Sequence, residues 1–351
     1  MSTTTFPAVD IQSASKQRTF TALNSTGKLN FELAGHVFLI DCLDDWSASA
    51  VSRLVNSWLV DPVSSVRSAP DYIIRVRSGV SPPPVPVGLE QFEISDGGIC
   101  YSDGQVTYVI LDGSLIAVDP ASCEVEVWIE SHYEWSSRVL SQILSQALGF
   151  AWRRCRLFLL HSAGVVMPGQ DKTLLIAGES GSGKSTLTLQ LAAAGWNFLS
   201  DDSIFLIARP QGIETRGLRQ CFALTSHTMA ALQLETSPPS APSIAWKRRI
   251  SPDELFPNRQ VKSAFAGSIV FPVVVHERES WILPLEPSET MQRLMRLSPW
   301  ACYDKPTATA NLKVFESLAR DVTAYELFAG KDLLGNPELT ASIVSRAYRS
   351  R

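Results

Sequence analysis

The spacing of hydrophobic and polar residues predicts two regions with different architecture. Up to about residue 135, short runs of β-branched and aromatic residues, such as Val37–Ile40 and Glu124–Ile129, are separated by turn signals such as Asp112-Gly113. One stretch, Ser47–Val60, repeats apolar residues at helical spacing. We therefore predict a small antiparallel α+β module over residues 20–135, preceded by a disordered N-terminus over residues 1–19.

From about residue 136 onward, near-continuous runs of apolar residues replace the short runs of the first region. The amphipathic pattern of Ser137–Arg154 predicts a helix that joins the two modules. The runs Leu157–Val166 and Thr173–Ala177 are typical of strands that are buried on both faces of a sheet. Ser268–Val275 predicts a further buried strand, and Pro337–Tyr348 predicts a closing helix. The fold class predicted for residues 136–351 is α/β.

Composition and charge exclude several classes of function. The 351 residues include 31 basic and 35 acidic side chains, so no polycationic surface is expected and nucleic acid is not an expected partner. The six cysteines lie far apart, without a CxxC spacing, which favours reduced thiols over disulfides or a zinc site. The first residues lack the apolar core of a signal peptide, and the apolar stretch Val139–Trp152 is too short to span a membrane. We expect a cytoplasmic protein without membrane contact.

The most informative segment is Gly178–Ser185, which has the form GxxxxGK[ST]. Its glycines let backbone N–H groups point at phosphate oxygens, Lys184 offers a charge to the β and γ phosphates, and Ser185 offers a hydroxyl to Mg²⁺. The predicted strand Thr173–Ala177 precedes it, and a segment rich in leucine and alanine follows and stops at Gly195. We expect ATP and Mg²⁺ to bind here; the alternative is a flexible linker. The expected nucleotide-binding residues are Gly178, Glu179, Ser180, Gly181, Ser182, Gly183, Lys184, Ser185 and Thr186.

Two adjacent carboxylates, Asp201 and Asp202, follow this segment. About 11 helical residues carry the chain roughly 16 Å away from the loop, and a short extended run brings it back about as far. The pair is therefore expected beside the loop, at the carboxyl end of a neighbouring strand. One carboxylate can hold Mg²⁺ there, and another can take a proton from an incoming hydroxyl, as the base does in kinases. The alternative is a hydrophilic turn without chemistry.

Four features, in this order, resemble the bacterial HPr kinase/phosphorylase family. They are the segment His161–Val165, the loop Gly178–Ser185, the pair Asp201-Asp202 and the segment Glu214–Leu218. The resemblance implies a P-loop kinase core of the HPr kinase / PEP carboxykinase-like type, which phosphorylates a serine with ATP. The divergent first module looks closer to the kinases that modify precursor peptides, notably in lasso-peptide biosynthesis, than to the HPr regulators.

The resemblance also implies roles for the acidic residues. Asp202 looks like the general base on the substrate serine, and Asp201 would lie in the metal shell. Ser185 and Glu214 match magnesium-binding positions of the family. The chain departs from the family at Thr186, where a glutamate is usual. Read without the family, Glu214 would be part of a solvated charge pair.

Three basic residues complete the set of catalytic residues that the resemblance implies. Lys184 matches the lysine of the phosphate loop, and His161 looks like the family's histidine near the transferred phosphate. Arg248, within Lys247–Arg249, is the choice for a late catalytic arginine. The alternatives are a packed core histidine at position 161 and a solvated loop at 247–249.

The leading hypothesis is a cytoplasmic, ATP- and Mg²⁺-dependent kinase that phosphorylates a serine on a small protein or peptide. A small-molecule kinase on the same fold is one alternative. A nucleotide-binding regulatory protein that transfers no phosphate is another, and the aspartate pair disfavours it because sensing needs no base. Members of the family are often hexameric, so a homo-oligomer is among the expected states.

Overall fold

A computed structural model describes residues 27–55, 61–62, 69–94, 97–130, 138–218, 221–224, 228–229 and 248–349. The predicted disordered N-terminus lies outside these residues. Contacts between Cα atoms divide the chain into two compact units. The first unit contains Arg18–Phe158 and Pro299–Asn311, and the second contains Leu159–Ser298 and Leu312–Arg351. None of the helices that the structure describes is long and apolar enough to cross a membrane.

The first unit is built on one mixed β-sheet. Its described strands lie in the order β3-β1-β2-β4-β9-β8-β7-β6-β5. The bounds are β1 (Lys28–Leu33), β2 (His36–Cys42), α1 (Asp45–Val55), β3 (Asp61–Pro62), β4 (Tyr72–Ser78), β5 (Glu90–Glu93), β6 (Ile99–Ser102), β7 (Thr107–Leu111), β8 (Ser114–Asp119), β9 (Glu124–Ile129) and α2 (Arg138–Arg154).

The prediction of an antiparallel module is wrong for the centre of this sheet. Strand β4 pairs in parallel with both β2 and β9, whereas the remaining pairs are antiparallel. Helix α1 lies between β2 and β4 in the chain, and such a crossover is what a parallel pair requires. The predicted hairpin at Asp112-Gly113 is confirmed, because both residues have positive φ angles and join the antiparallel strands β7 and β8.

Helix α2 belongs to the first unit by its contacts. It packs on β4, β8 and β9, and the apolar residues that predicted it, including Leu140, Ile143 and Leu144, are buried. The boundary between the two compact units therefore falls after Phe158, later in the chain than the predicted boundary at residue 135. An apolar stripe shows that a helix is buried but does not identify the sheet that buries it.

From Phe158 onward the described elements include both strands and helices. Their bounds are β10 (Phe158–Leu160), β11 (Ser162–Val166), β12 (Lys172–Ala177), α3 (Lys184–Ala193), β13 (Asn197–Ser200), β14 (Ile204–Arg209), β15 (Gly212–Gly217), β16 (Phe222–Leu224), β17 (Arg248–Ile250), α4 (Pro252–Leu255), β18 (Ser263–Val274), β19 (Trp281–Leu285), α5 (Pro287–Leu297), α6 (Trp300–Tyr303), α7 (Lys305–Asp321), β20 (Thr323–Ala329) and α8 (Pro337–Arg349). The predicted run Leu157–Val166 is thus two strands, and the break between them lies at His161.

The main sheet of the second unit is also mixed. Its order is β10-β14-β15-β18-β12-β11-β13, with β20 beside β18 and β19 beside β20. Strand β12 has the parallel strand β18 on one side and the antiparallel strand β11 on the other. The segment Gly178–Ser185, which follows β12, therefore leaves the sheet between β18 and β11.

The sheet of the second unit is strongly coiled. Strand β13 lies at one edge of the strand order and β14 lies near the other, yet residues 201–203 alone join them. A Cβ atom on Gly217 of β15 would lie 2.3 Å from the carbonyl oxygen of Leu199 on β13. The hairpin β14–β15 therefore folds against β13, and glycine is required at the point of closest approach.

Helix α3 is buried by two separate apolar clusters. Leu187 and Leu191 pack with residues of β11, β12, β20 and α8, whereas Leu189 and Ala192 pack with residues of β13, β16 and α4. The helix ends at Gly195, as predicted: the N–H groups of Gly195 and Trp196 donate to the carbonyls of Ala192 and Leu191, and Gly195 has a φ of 100°. The C-terminal end of α3 is thus fixed.

A buried ion cluster ties the segment Pro299–Asn311 into the first unit. The carboxylate of Asp304 accepts hydrogen bonds from Arg153 Nε at 2.7 Å, Arg154 Nη1 at 2.6 and 2.8 Å, and Thr307 Oγ1 at 2.8 Å. The Arg153 guanidinium lies over the rings of Phe150 and Trp300. Because α2 supplies both arginines, this cluster joins the end of α2 to the turn that contains Asp304.

The charges of this cluster fix the protonation state of Asp304. Burial alone would raise the pKa of Asp304, but attraction to Arg153 and hydrogen bonds from Arg154 outweigh burial and hold the pKa below its ordinary value of 3.8. The contribution to stability is therefore present above the pKa of the unfolded chain and is lost as the pH falls through the folded-state pKa.

We predict that Asp304→Asn lowers the free energy of unfolding by about 3–5 kcal/mol at pH 7, because two buried guanidiniums lose their counter-charge. Urea denaturation measures this loss, and the difference from the wild type should shrink as the pH falls below 3.8. Asp321→Asn is the matched control, since Asp321 pairs with Arg320 on an exposed surface and its loss should change the stability far less. Equal losses in the two variants would contradict the role of the buried cluster.

Candidate active site

The segment Gly178–Gly183 forms a loop between β12 and α3. Gly181 and Gly183 have φ angles of 89° and 97°, in the left-handed region that favours glycine. The Ser182 N–H donates to the carbonyl of Glu179 and closes a turn within the loop. Gly183 is the N-cap of α3 and provides no capping side chain. The first N–H groups of α3 are therefore available to an anion.

Lys184 holds the loop in a wrapped conformation. Its Nζ donates to the carbonyl oxygens of Gly178 at 2.7 Å and Glu179 at 2.9 Å, and the residue is 6% exposed. The ammonium group thus lies inside the loop that carries the backbone N–H groups. A buried positive charge enclosed by backbone dipoles is suited to a polyphosphate.

Three strand ends meet at the edge of the sheet that carries this loop. Ser162 pairs with Ala177, and Gly164 pairs with Ser200. Because β11 is antiparallel to both β12 and β13, its start lies at the same edge as their carboxyl ends. The aspartates thus follow a strand that is the second neighbour of β12, not the adjacent one as predicted.

The turn that contains the two aspartates is closed by serine side chains and backbone. Ser200 Oγ donates to the carbonyl of Ser203 at 2.8 Å, and the Leu218 N–H donates to the same carbonyl at 3.0 Å. Asp201 is 1% exposed, and its Oδ2 accepts a hydrogen bond from Ser185 Oγ at 3.1 Å. This bond connects the first turn of α3 with the end of β13.

Asp202 occupies a different environment from Asp201. Its Oδ1 lies 3.2 Å from Nδ1 of His161, and the two side chains are 37% and 39% exposed. His161 stands in the break between β10 and β11 and thus starts β11 at this edge. The site therefore contains a buried carboxylate that is bonded to the loop and an accessible carboxylate that is paired with a histidine.

The structure does not bring Glu214 to the loop. Glu214 pairs with Phe265 across the sheet, and Phe265 pairs with Lys172 at the start of β12, the end opposite Gly178. Its Oε2 accepts a hydrogen bond from Arg209 Nε at 2.8 Å. The expectation of a magnesium ligand at Glu214 is corrected: the residue is in a charge pair on the β14–β15 hairpin, because the pairing of β15 with β18 sets it level with the start of β12.

The structure describes the backbone of Arg248 but not its side chain. Arg248 begins β17, which pairs with β16. Its side chain, Lys247 and the Pro-rich segment 236–243 lie outside the part of the chain that the structure describes. The role of Arg248 stays a prediction.

Sequence reasoning missed one set of cationic residues beside the loop. A cavity of about 550 Å³ lies between Gly178–Ser182, the end of β18 and one side of α5, which contributes Arg293 and Arg296. Arg293 Nη2 lies 2.7 Å from Glu326 Oε1, and its guanidinium covers the ring of Phe271. Charged residues on an amphipathic helix are typical of a solvated face, so the sequence contained no signal for this placement.

The residues at the loop fit a magnesium ion. Among the described residues, no three or more His, Cys, Asp or Glu side chains are grouped so that they could hold a metal. The donors beside the loop are the hydroxyl of Ser185 and the carboxylate of Asp201. Hard oxygen donors of this kind, one or two carboxylates completed by substrate phosphates, are those that Mg²⁺ uses at nucleotide sites.

Comparison with solved structures finds distant similarity. The solved structure of the Hpr(Ser) kinase/phosphatase from Coxiella burnetii matches 54% of this chain and 88% of its own, with 14% identity and a TM-score of 0.29. No family profile matches the sequence, and no curated protein matches it. The assignment of the site depends on its own geometry.

We predict that Lys184→Met weakens the binding of Mg·ATP by at least about tenfold, because a charge-assisted contact to phosphate is lost together with the two bonds that shape the loop. Calorimetric titration measures the change. Lys313→Met, which removes an exposed lysine of α7, is the control and should bind like the wild type. Unchanged affinity in Lys184→Met would mean that the loop does not bind phosphate.

Proposed function

We propose that this protein is an ATP- and Mg²⁺-dependent kinase that transfers the γ-phosphate to a serine hydroxyl of a small protein or peptide. One observation carries the proposal: beside the wrapped loop, Ser185 bonds to the buried Asp201 while the accessible Asp202 lies against His161. A loop for phosphates, oxygen donors for a metal and an exposed base at one edge are the components that phosphoryl transfer needs.

Residues of the loop and of α3 would bind the phosphates. Backbone N–H groups of Gly178–Thr186 and the ammonium of Lys184 provide positive electrostatic potential, and the uncapped start of α3 adds to it. Ser185 and Asp201 would hold the magnesium ion. When bound, that ion neutralises charge on the phosphates.

Asp202 is suited to accept the proton of the incoming hydroxyl. Its side chain is 37% exposed, so an acceptor can reach it, whereas Asp201 is buried. The proton moves from the acceptor hydroxyl to the Asp202 carboxylate as the hydroxyl oxygen forms its bond to the γ-phosphorus. The bond between that phosphorus and the oxygen that bridges the β and γ phosphates breaks, and ADP is the leaving group. The contact with His161 Nδ1 orients this carboxylate, and Lys184 stabilises the charge of the transferring group.

The choice of a serine on a protein or peptide as the phosphate acceptor depends on the order of the motifs. That order, from His161 to the aspartate pair, resembles a family that phosphorylates serine on proteins or peptides. The net charge of −4 disfavours nucleic acid as the partner. A small metabolite as acceptor, and nucleotide binding without transfer, are the outcomes that the experiment must separate from the proposal.

The proposal is tested by transfer of ³²P from γ-labelled ATP to a panel of serine-containing peptides and small proteins. Asp202→Asn should lower the transfer rate by about 10²–10⁴-fold, because an amide cannot accept the proton. Its affinity for Mg·ATP should stay close to that of the wild type. Asp171→Asn is the control, since Asp171 is an exposed carboxylate before β12, at the end opposite the loop.

Three results would contradict the proposal in different ways. Transfer by Asp202→Asn at the wild-type rate would remove Asp202 as the base. Stoichiometric consumption of ATP with a metabolite, while no peptide is labelled, would reassign the acceptor. ATP binding without transfer to any acceptor would favour a regulatory protein.

A further inference from the structure

A second, smaller cavity adjoins the other side of the phosphate loop. It has a volume of about 260 Å³ and lies between Gly183, the first turns of α3, the end of β18 and the segment that follows β20. None of the candidate catalytic residues, His161, Asp201 or Asp202, is among the residues that line it. The cavity is therefore separate from the part of the site that contains the two aspartates.

The order of the strands separates the cavity from the aspartates. Strands β11 and β13, which carry His161 and the aspartate pair, lie on one side of β12. Strands β18 and β20, which carry the cavity walls Val274 and Leu327, lie on the other side. A polyphosphate chain on the loop would thus have its reactive end toward Asp202 and its other end toward the cavity.

We infer that this cavity binds the nucleoside of the nucleoside triphosphate, with the base between apolar walls. This inference rests on the proposed function, because it assumes that the loop binds the phosphates. The cavity is slightly smaller than the roughly 300 Å³ at which pockets for whole drug-sized ligands begin. Its size fits a base with its sugar, while the phosphates lie outside on the loop.

The walls have the chemistry that a flat heterocycle requires. Leu187, Leu327 and Leu333 are buried, whereas Val274 and Leu334 are 61% and 47% exposed. Val274 and Leu334 are thus large apolar side chains at the mouth of a cavity, and a bound base would remove apolar surface of both from water. These two residues are the rim of the nucleoside cavity.

One polar wall residue is held in a defined orientation. The carbonyl oxygen Oε1 of Gln190 accepts a hydrogen bond from the Asn336 N–H at 3.1 Å, and Gln190 is 2% exposed. The remaining polar group of this side chain is its amide nitrogen, which is a donor. A donor beside apolar walls matches the ring nitrogens of a purine, which are acceptors.

The test compares two ligands that share the phosphates and differ in the nucleoside. Calorimetric titration with Mg·ATP and with Mg²⁺ and inorganic triphosphate gives the contribution of the nucleoside. We expect the wild type to bind ATP more tightly than triphosphate, and Leu334→Asn to weaken ATP binding about fivefold while triphosphate binding changes less than about twofold. Leu283→Asn is the matched control, because Leu283 is 49% exposed on β19 and does not line the cavity.

The possible outcomes separate the inference from the proposed function. Equal affinity for ATP and triphosphate in the wild type, or equal effects of Leu334→Asn on both ligands, would overturn the nucleoside site and leave the phosphate loop intact. Failure of both ligands to bind the wild type would overturn the proposed function, and the inference with it. Labelling by 8-azido-ATP should fall within residues 183–190 or 327–334; labelling confined to other segments would also overturn the inference.

Discussion

The hydrogen bond between Ser185 Oγ and Asp201 Oδ2 is the contact on which the arrangement of the site depends. It joins the first turn of α3 to the end of β13, and its two residues are 16 positions apart in the chain. Both partners are held from behind: α3 is packed between two apolar clusters, and the turn after β13 is closed by Ser200 and Ser203. Because neither element can shift alone, the loop, Ser185 and the two aspartates keep one geometry.

The coiling of the second sheet explains why a buried carboxylate can stand at this position. A carboxylate with 1% exposure needs hydrogen bonds, since burial of a charge without partners is costly. The chain passes from β13 to β14 in three residues, and the absence of a side chain at Gly217 lets β15 approach the Leu199 carbonyl. The resulting turn buries Asp201 against Ser185 and leaves Asp202 facing outward beside His161. One turn thus places Asp201 and Asp202, which are adjacent in the chain, in different environments.

The local part of this site could be predicted from sequence, whereas the part that depends on strand order could not. The strand, loop and helix around Gly178–Ser185 follow from residue types with known backbone preferences, and simple lengths return Asp201 to the loop. Neither kind of information reveals that β11 lies between β12 and β13, or that the pairing of β15 with β18 sets Glu214 level with the start of β12. The walls of the smaller cavity, including Val274 and Leu334, are ordinary apolar residues, and they adjoin the loop because β18 and β20 lie beside it.

The central claim is that one edge of the second sheet binds Mg·ATP with its reactive phosphate toward Asp202. A crystal structure of the protein with Mg²⁺ and a non-hydrolysable ATP analogue tests this claim most directly. We predict the phosphates inside the loop around Lys184, Mg²⁺ at about 2.1 Å from Ser185 Oγ, and the Asp202 carboxylate facing the γ-phosphate. Phosphates bound away from the loop, or a γ-phosphate directed away from Asp202, would contradict the account.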